Sequence, residues 1–384
     1  MGVGSDRRLL IYSTLIHKFA QGRCVGAGDI YNGLMLNQPE NESKNSDARI
    51  WMPAGFSPLS RIFLAPPHNR LTWPDALELA QKEFGYFIDR LADVLPVTLL
   101  NTNAFIDVDH PGISCLELKT NDSWIRDYGP IFTVRGGRLW IEDFRFNSWG
   151  NKYPPFDDDD AIAGQIAEHL GVGICRWDFV LEGGSIESNG QGVLLTTASC
   201  LLHPNRNPGL SQGQIEALLS RALGVERFIW LPGGIDGDDT DGHVDDVARF
   251  IGPRQIAVVR APKSHPDHEA LERNYRVLLD ARDQEGQRFD LVVLPTPGQI
   301  FAEGIADWQN GNQPSRLALP ASYANFLMAN KHLFLPVFNQ PEDALAISCL
   351  EDALPHYRIV PIPAIHLVAG LGALHCLSME QPAI

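Results

Sequence analysis

A cysteine, a histidine and three carboxylic acids lie in segments that are too polar for a protein core: Cys376, His243, Asp127, Asp245 and Glu182. A thiolate is the strongest nucleophile among protein side chains. A histidine transfers protons near neutral pH, and a carboxylate binds a planar guanidinium through two parallel hydrogen bonds. Together these groups predict attack of a thiolate on the central carbon of a guanidinium, followed by loss of ammonia.

The polar segments are residues 121–130, 181–185, 236–246 and 370–376. Each of their residues also has a structural interpretation, since a buried cysteine packs as a small hydrophobe and an aspartate often caps a turn. The positions of the segments strengthen their functional interpretation, because each follows an apolar strand or lies between two repeated units. We therefore expect them to meet in one pocket.

The elements that must position these residues follow a repeated order of apolar strand, amphipathic helix and apolar strand. Strands are predicted at 61–65, 97–100, 131–146, 175–181, 192–202, 227–231, 255–259, 289–294, 332–337 and 357–361. Helices are predicted within 74–95, 161–170, 211–223, 267–282 and 341–354. Five such units indicate modules arranged around an axis or a solenoid. An ordinary alternating α/β sheet fits the periodicity equally well.

Composition bounds the function of the 384-residue chain, which is 44% hydrophobic and 20% charged. The net charge of −16 argues against non-specific nucleic-acid binding. It suits a cationic small molecule, and solubility alone explains it equally well. No segment is long and apolar enough to suggest a membrane span. The six cysteines form no CxxC pair and do not resemble a disulfide framework, which favours a reducing, cytoplasmic compartment. The sequence leaves a homo-oligomer open.

Two polar stretches receive no catalytic role. Residues 1–48 include the polar run 37–47, so they are expected to form a poorly ordered extension or linker, with the folded part beginning near Ile50. The four acids at 157–160 are expected to form a solvated loop or the start of a helix.

The acidic run around His243 is a weak candidate for a metal site. An EF-hand needs an acid first and a glutamate twelfth, but placing Gly242 sixth puts Gly237 first and Ala248 twelfth. The calcium-loop hypothesis therefore fails. A transition-metal site built from histidine and aspartate stays open, without supporting histidine spacing.

Five motifs in order resemble those of the agmatine deiminase family, also called Porphyromonas-type peptidylarginine deiminases. They are NDSWIRDYGP (121–130), LEGGSIESNGQG (181–192), HPNRNP (203–208), DDTDGHVDDVARF (238–250) and ALHCLSMEQP (373–382). The resemblance covers residues 50–384. It implies the pentein fold, a five-bladed α/β propeller of ββαβ repeats about a pseudo-fivefold axis, and thus one catalytic domain over 49–384.

The resemblance also implies a role for each matching residue. Asp127 and Asp245 are expected to bind the guanidinium, His243 to transfer protons, Glu182 to lie in the pocket near the substrate, Cys376 to be the nucleophile and Trp124 to line the pocket. Arg126, Gly183 and Gly372 are expected to contact the substrate as well. No metal and no organic cofactor are expected.

Three departures from the family pattern concern the far end of the substrate. Leu371 replaces a glycine, Ala373 stands where agmatine-specific members commonly have asparagine, and Gly55 replaces an acid. The expected function is hydrolysis of agmatine to N-carbamoylputrescine and ammonia, for putrescine synthesis. A deiminase of free arginine or peptidyl-arginine, and a guanidinium-binding protein that has lost catalysis, are the alternatives.

Overall fold

Short strands alternate with helices throughout the computed structural model, which describes residues 24–25, 49–100, 110–302 and 317–384. In chain order the strands are β1 (Cys24–Val25), β2 (Ile50–Trp51), β3 (Leu59–Leu64), β4 (Val97–Leu100), β5 (Ile113–Leu116), β6 (Ile131–Arg135), β7 (Arg138–Arg145), β8 (Gly173–Val180), β9 (Ile186–Ser188), β10 (Val193–Thr197), β11 (Arg227–Leu231), β12 (Ala248–Gly252), β13 (Gln255–Arg260), β14 (Asp290–Pro295), β15 (Phe301–Ala302), β16 (Leu317–Ala318), β17 (Leu327–Ala329), β18 (His332–Val337), β19 (Arg358–Pro363) and β20 (Ser378–Pro382).

Within these described ranges, the helices longer than two turns are α1 (Leu77–Ala92), α2 (Ile162–Leu170), α3 (Gln212–Leu223), α4 (His268–Asp280) and α5 (Asp343–Ala353). Four-residue helical turns lie at Ile125–Tyr128, Ser148–Asn151, Asp157–Asp160 and Ala198–Leu201, and 3-10 turns at Gly183–Ser185, Val244–Asp246 and Val368–Gly370. Every helix from α1 to α5 falls inside a segment predicted from periodicity, so those five predictions are confirmed.

Each blade combines an antiparallel and a parallel strand pair around one helix. In one of them β9 pairs antiparallel with β10, and β10 pairs parallel with β11 after the chain has crossed over through α3. The same order holds for β12, β13, α4 and β14 and for β17, β18, α5 and β19. A parallel pair needs a crossover of this length, and a helix supplies it. The blades are separate sheets, which excludes one continuous alternating sheet.

The two ends of the described domain meet in a single blade. Strand β20 pairs antiparallel with β3, and β3 pairs parallel with β4 after α1. Helices join neighbouring blades, since α4 packs on β11, α5 on β14 and α1 on β19. Helix α1 buries an apolar face formed by Leu77, Ala80, Phe84, Phe87, Ile88 and Leu91. Because Cys376 lies two residues before β20, the closure of the ring fixes its position.

The remaining blade carries extra edge strands. Strands β6, β7 and β8 form its centre, β2 adds to β6, and β1 pairs antiparallel with β8 opposite Ile174 and Cys175. Cys175 is disulfide-bonded, which the cysteine spacing did not predict. The rest of the extension predicted at 1–48 lies outside the described residues. No helix among the described residues is long and apolar enough to cross a membrane.

Candidate active site

A cavity of about 1180 Å³ opens where three of the polar segments meet. Its wall includes Trp124, Asp127, His243 and Cys376. The fourth segment contacts the same place, because the backbone N–H of Gly184 donates to Asp127 Oδ1 (3.0 Å). The structure therefore brings together the cysteine, the histidine and the first acid that the sequence singled out.

Cys376 is 8% exposed and is held by an asparagine from another blade. The Nδ2 of Asn325 donates to Cys376 Sγ (3.0 Å), and the Oδ1 of Asn325 accepts from the N–H of His375 (3.0 Å). The sequence assigned no role to Asn325. Burial, followed by the charges of Asp245 and Asp246, raises the pKa of Cys376 well above that of a free thiol. The resting side chain is therefore a neutral thiol.

Asp127 is fixed by two donors that leave it beside the histidine. It lies in the helical turn Ile125–Tyr128, and its Oδ2 accepts from Trp149 Nε1 (2.9 Å). Trp149 was not predicted, and it has a φ of +54° in a turn stabilised by the Asn147 side chain. Such a conformation is unfavourable for a bulky residue and marks a constrained segment. Burial and the nearby charges of Asp245 and Glu182 raise the pKa of Asp127 well above its usual value.

Asp245 lies between Cys376 and His375, the residue before it. Its Oδ2 is 3.8 Å from Cys376 Sγ and accepts from Nδ1 of His375 (2.6 Å). Its Oδ1 is buried and has no hydrogen-bond partner within the described part of the chain. Burial raises the pKa of Asp245 to about 7. A donor such as a guanidinium N–H would satisfy this oxygen and favour the ionised form.

His243 is 1% exposed and oriented by the loop that precedes it. Its backbone N–H donates to Asp238 Oδ2 (2.9 Å), and its Nδ1 is 3.6 Å from Asp127 Oδ1. Burial lowers the pKa of His243 well below its usual value, so the ring is neutral at pH 7. A side chain at Gly184 would be excluded, because a Cβ there would lie 2.6 Å from His243 Nδ1.

Glu182 lies behind this wall rather than on it. Its Oε1 accepts from Arg206 Nε (2.6 Å), and both side chains are fully buried. Arg206 also donates to the carbonyl of Thr240 (2.8 Å), in the loop before His243. The expectation that Glu182 borders the substrate is thus changed to a role one layer back. Arg206 belongs to the HPNRNP motif, which is the signal that could have revealed it.

Five residues expected at the substrate are absent from the cavity wall: Glu182, Asp245, Arg126, Gly183 and Gly372. Arg126 points away and pairs with Glu380, at 9% and 8% side-chain exposure. Gly183 packs on the backbone of Arg126, where a Cβ would lie 2.1 Å from its carbonyl oxygen. Gly372 packs on Trp124, and a Cβ there would lie 2.5 Å from the indole ring. These glycines shape the wall, and their predicted direct contact with substrate has no support in this geometry.

The departures from the family pattern lie in different places. Leu371 is on the cavity wall and has a φ of +73°, a conformation that glycine adopts without strain. Gly55 instead lines a separate cavity of about 60 Å³. A Cβ added to Gly55 would lie 3.4 Å from Arg249 Nη2. Only the first departure therefore bears on the substrate cavity.

The cavity wall is strongly acidic over the described residues. Its carboxylates are Asp122, Asp127, Asp158, Asp159, Asp236, Asp239 and Asp246. Its lysines and arginines are Arg70, Lys119 and Lys152, and each is paired: with Glu78 (2.6 Å), Asp158 (3.6 Å) and Asp241 (3.0 Å), respectively. At 157–160 the predicted helix start is confirmed by the helical turn Asp157–Asp160. The alternative of a solvated loop is wrong for Asp159, which is 2% exposed and accepts from the N–H of Asn121 (2.7 Å).

A family model described as Porphyromonas-type peptidyl-arginine deiminase matches residues 51–382. The chain belongs to this family. It is 37% identical over 350 residues to a putative agmatine deiminase of Vibrio parahaemolyticus, covering 87% of this chain and 97% of that protein. A solved agmatine deiminase of Enterococcus faecalis has a TM-score of 0.82 and 33% identity, covering 87% of this chain and 96% of that one.

A more distant structure shows the fold alone. An amidinotransferase from Microseira wollei has a TM-score of 0.51 at 13% identity, covering 86% of this chain and 96% of that one. Membership of the deiminase family and the blade topology together confirm the five-bladed pentein propeller that the sequence motifs implied.

Proposed function

We propose that this family member is an agmatine deiminase, a hydrolase that converts agmatine and water to N-carbamoylputrescine and ammonia. One observation supports this most: a thiol, an imidazole and two carboxylates surround a single buried point. A Cβ added to Gly184 would lie 2.6 Å from His243 Nδ1, 2.8 Å from Asp127 Oδ1 and 3.2 Å from Asp245 Oδ2. Cys376 Sγ adjoins the last of these carboxylates at 3.8 Å.

Asp127 and Asp245 would bind the guanidinium nitrogens. The free Oδ1 of Asp245 is available to accept an N–H, and a charge-assisted hydrogen bond is about twice as strong as a neutral one. The arriving cation also stabilises the ionised carboxylates, which burial alone disfavours. Binding therefore places the guanidinium carbon beside Cys376 Sγ in the orientation needed for attack.

The chemistry would proceed in two halves. In the first, Cys376 Sγ bonds to the guanidinium carbon while its proton passes to neutral His243. The imidazolium then protonates the departing amino group, and the C–N bond breaks to release ammonia and leave a thiouronium on Cys376. In the second half, His243 takes a proton from water, and the resulting hydroxide adds to the carbon. The C–S bond then breaks, and the proton of the added hydroxyl passes to sulfur to give the ureido product and the free thiol. The imidazolium releases its proton to the ammonia or to solvent, which restores neutral His243.

The acidic cavity favours agmatine over arginine. Agmatine ends in an ammonium, which suits a wall on which the aspartates outnumber the three lysines and arginines. Free arginine or a C-terminal arginine adds a carboxylate, and each of those three cations is already paired with an acid. A peptidyl-arginine deiminase remains the second candidate, because the matching family model has that description.

A substrate comparison tests the proposal. We expect kcat/KM for ureido-product formation to be at least about a hundredfold higher with agmatine than with free arginine or a peptide ending in arginine, since a site that leaves a buried charge unpaired rejects strongly. Cys376→Ala is expected to abolish turnover. A preference for the peptide would support the second candidate, and no ureido product from any of the three would refute deiminase activity.

Supply of N-carbamoylputrescine for putrescine synthesis follows from this proposal. A cytoplasmic location, a homo-oligomer and the absence of nucleic-acid and membrane partners stay predictions from composition.

A further inference from the structure

His243 belongs to a buried cluster with Glu182 and Cys200, and the proposed reaction gives no role to Cys200. Glu182, Cys200 and His243 are all buried, and one ligand atom of each lies within 4.8 Å of the others. Cys200 has no part in the deiminase chemistry described above. Its thiol nevertheless lies close to Glu182 and to His243, the residue proposed to transfer protons.

Hydrogen bonds between separate segments hold the cluster in place. Cys200 lies in the helical turn Ala198–Leu201, and its N–H donates to Thr197 Oγ1 (3.4 Å). The same hydroxyl donates to the carbonyl of Gly242 (2.5 Å), the residue before His243. Glu182 is fixed separately by Arg206. The three side chains are therefore positioned by the fold, and their proximity does not depend on one flexible rotamer.

Two atoms of the cluster also lack a partner. Glu182 Oε2 and His243 Nε2 are buried and make no hydrogen bond to any described residue. Leaving a buried polar atom without a hydrogen bond is unfavourable. Because one atom is an acceptor and the other becomes an acceptor when the ring is neutral with Nδ1 protonated, a cation between them would satisfy both.

The donor types select the ion. Thiolate, imidazole and carboxylate are the ligands of zinc, whereas magnesium and calcium prefer oxygen alone. Tetrahedral zinc spaces its ligand atoms about 3.4–3.6 Å apart. From a present separation of at most 4.8 Å, small side-chain rotations are enough to reach that spacing.

We propose that Glu182, Cys200 and His243 form an inhibitory binding site for a thiophilic divalent cation such as Zn²⁺. Binding forms a metal–sulfur bond and releases the Cys200 proton to solvent, one proton per ion. Coordination also occupies a ring nitrogen of His243, which can then no longer shuttle protons. The binding stands by itself, while the inhibition rests on the proposed deiminase function.

Metal binding is measured first, without reference to activity. The full-length protein is titrated with ZnSO₄ by calorimetry in buffers of different ionisation enthalpy, and with CoCl₂ while thiolate-to-cobalt absorption is followed. The variants are Cys200→Ser, Cys200→Ala and Cys376→Ser, with Cys349→Ser as a partly exposed thiol control, and circular dichroism verifies their folding.

We expect one equivalent of zinc, one proton released, and a cobalt–thiolate band in the unsubstituted protein, in Cys376→Ser and in Cys349→Ser. Both Cys200 variants should lose the band and bind zinc at least about a hundredfold more weakly. Loss of a residue that only hydrogen-bonds to a metal ligand already lowers metal affinity about 10–100-fold, and loss of a residue that binds the metal itself should cost more. Glu182→Gln should weaken binding without removing the band.

Two results would overturn the proposal. One is loss of the band in Cys376→Ser with retention in the Cys200 variants, which would place the ion on the nucleophile. The other is no stoichiometric binding. In the activity arm, Cys200→Ser should turn over agmatine as the unsubstituted protein does but require at least about a hundredfold more zinc for half-inhibition. Absence of turnover without zinc would instead refute the proposed function, and the binding arm would still decide the site.

Discussion

Replacing Asp245 with asparagine should change the reactivity of Cys376 in opposite directions toward neutral and cationic reagents. The Oδ2 of Asp245 is 3.8 Å from the sulfur. At an effective dielectric constant of about 20, two like charges at that distance repel by about 4 kcal/mol, which corresponds to about a thousandfold in the equilibrium between thiol and thiolate. Asp245→Asn removes this repulsion, so the pKa of Cys376 should fall and the thiolate fraction should rise by up to about a thousandfold.

Alkylation rates measure the effect at pH 8.5, above the pKa of about 7 that burial gives Asp245. Neutral iodoacetamide should react with Asp245→Asn up to about a thousandfold faster, because the thiolate fraction rises by that factor. A cationic haloacetamidine should lose most of its advantage over the neutral reagent, because one carboxylate that binds the cation is gone. Peptide mapping assigns the modified cysteine.

Asp236→Asn is the matched control, because Asp236 is an exposed aspartate on the same cavity wall. Unlike Asp245, it makes no hydrogen bond to the sulfur of Cys376. It should leave both rates within about twofold, as expected for a screened surface charge. If Asp245→Asn left iodoacetamide alkylation unchanged, or slowed both reagents equally, Asp245 would not be the charge that suppresses the thiolate.

Three further changes test how the site is supported. Arg206→Gln leaves Glu182 buried without its partner and should lower the free energy of unfolding by about 3–5 kcal/mol in urea titrations. The double variant Arg206→Gln with Glu182→Gln should recover part of that loss. An equal loss in the single and the double variant would show that the pair is not coupled. Trp149→Phe removes the 2.9 Å hydrogen bond to Asp127 and should lower kcat/KM for agmatine about ten- to a hundredfold, at about 1.5–3 kcal/mol for a bond to a charged group; an unchanged value would contradict the role given to Asp127. Leu371→Gly should be at least as stable as the unsubstituted protein, and Leu371→Val less stable by about 1 kcal/mol or more, because β-branched residues resist the φ of +73°; the reverse order in thermal unfolding would exclude backbone strain at this position.

The helices of the blades were predictable because each has an apolar face that recurs at helical spacing. Strand β20 was not predicted, although it closes the ring. It has five residues and pairs with β3 across more than 300 positions. Nothing local in its sequence encodes that long-range pairing.

The proposed catalytic residues were predictable by type, but which of their side chains line the cavity was not. Arg126 and Asp127 are adjacent in sequence, yet they lie in a helical turn, where successive side chains diverge by about 100°. Asp127 therefore lies on the cavity wall, whereas Arg126 points to Glu380. Asn325 lies outside the five motifs, and its role depends on a contact with Cys376 across 51 residues.

The most direct test of the account is to identify the covalent intermediate. The protein is mixed with agmatine, quenched in acid before one turnover is complete, and digested for mass spectrometry. We expect the peptide containing Cys376 to gain the mass of agmatine less one ammonia, and no other cysteine peptide to change. The central claim would be contradicted by turnover of agmatine in Cys376→Ala, or by an adduct on a different residue.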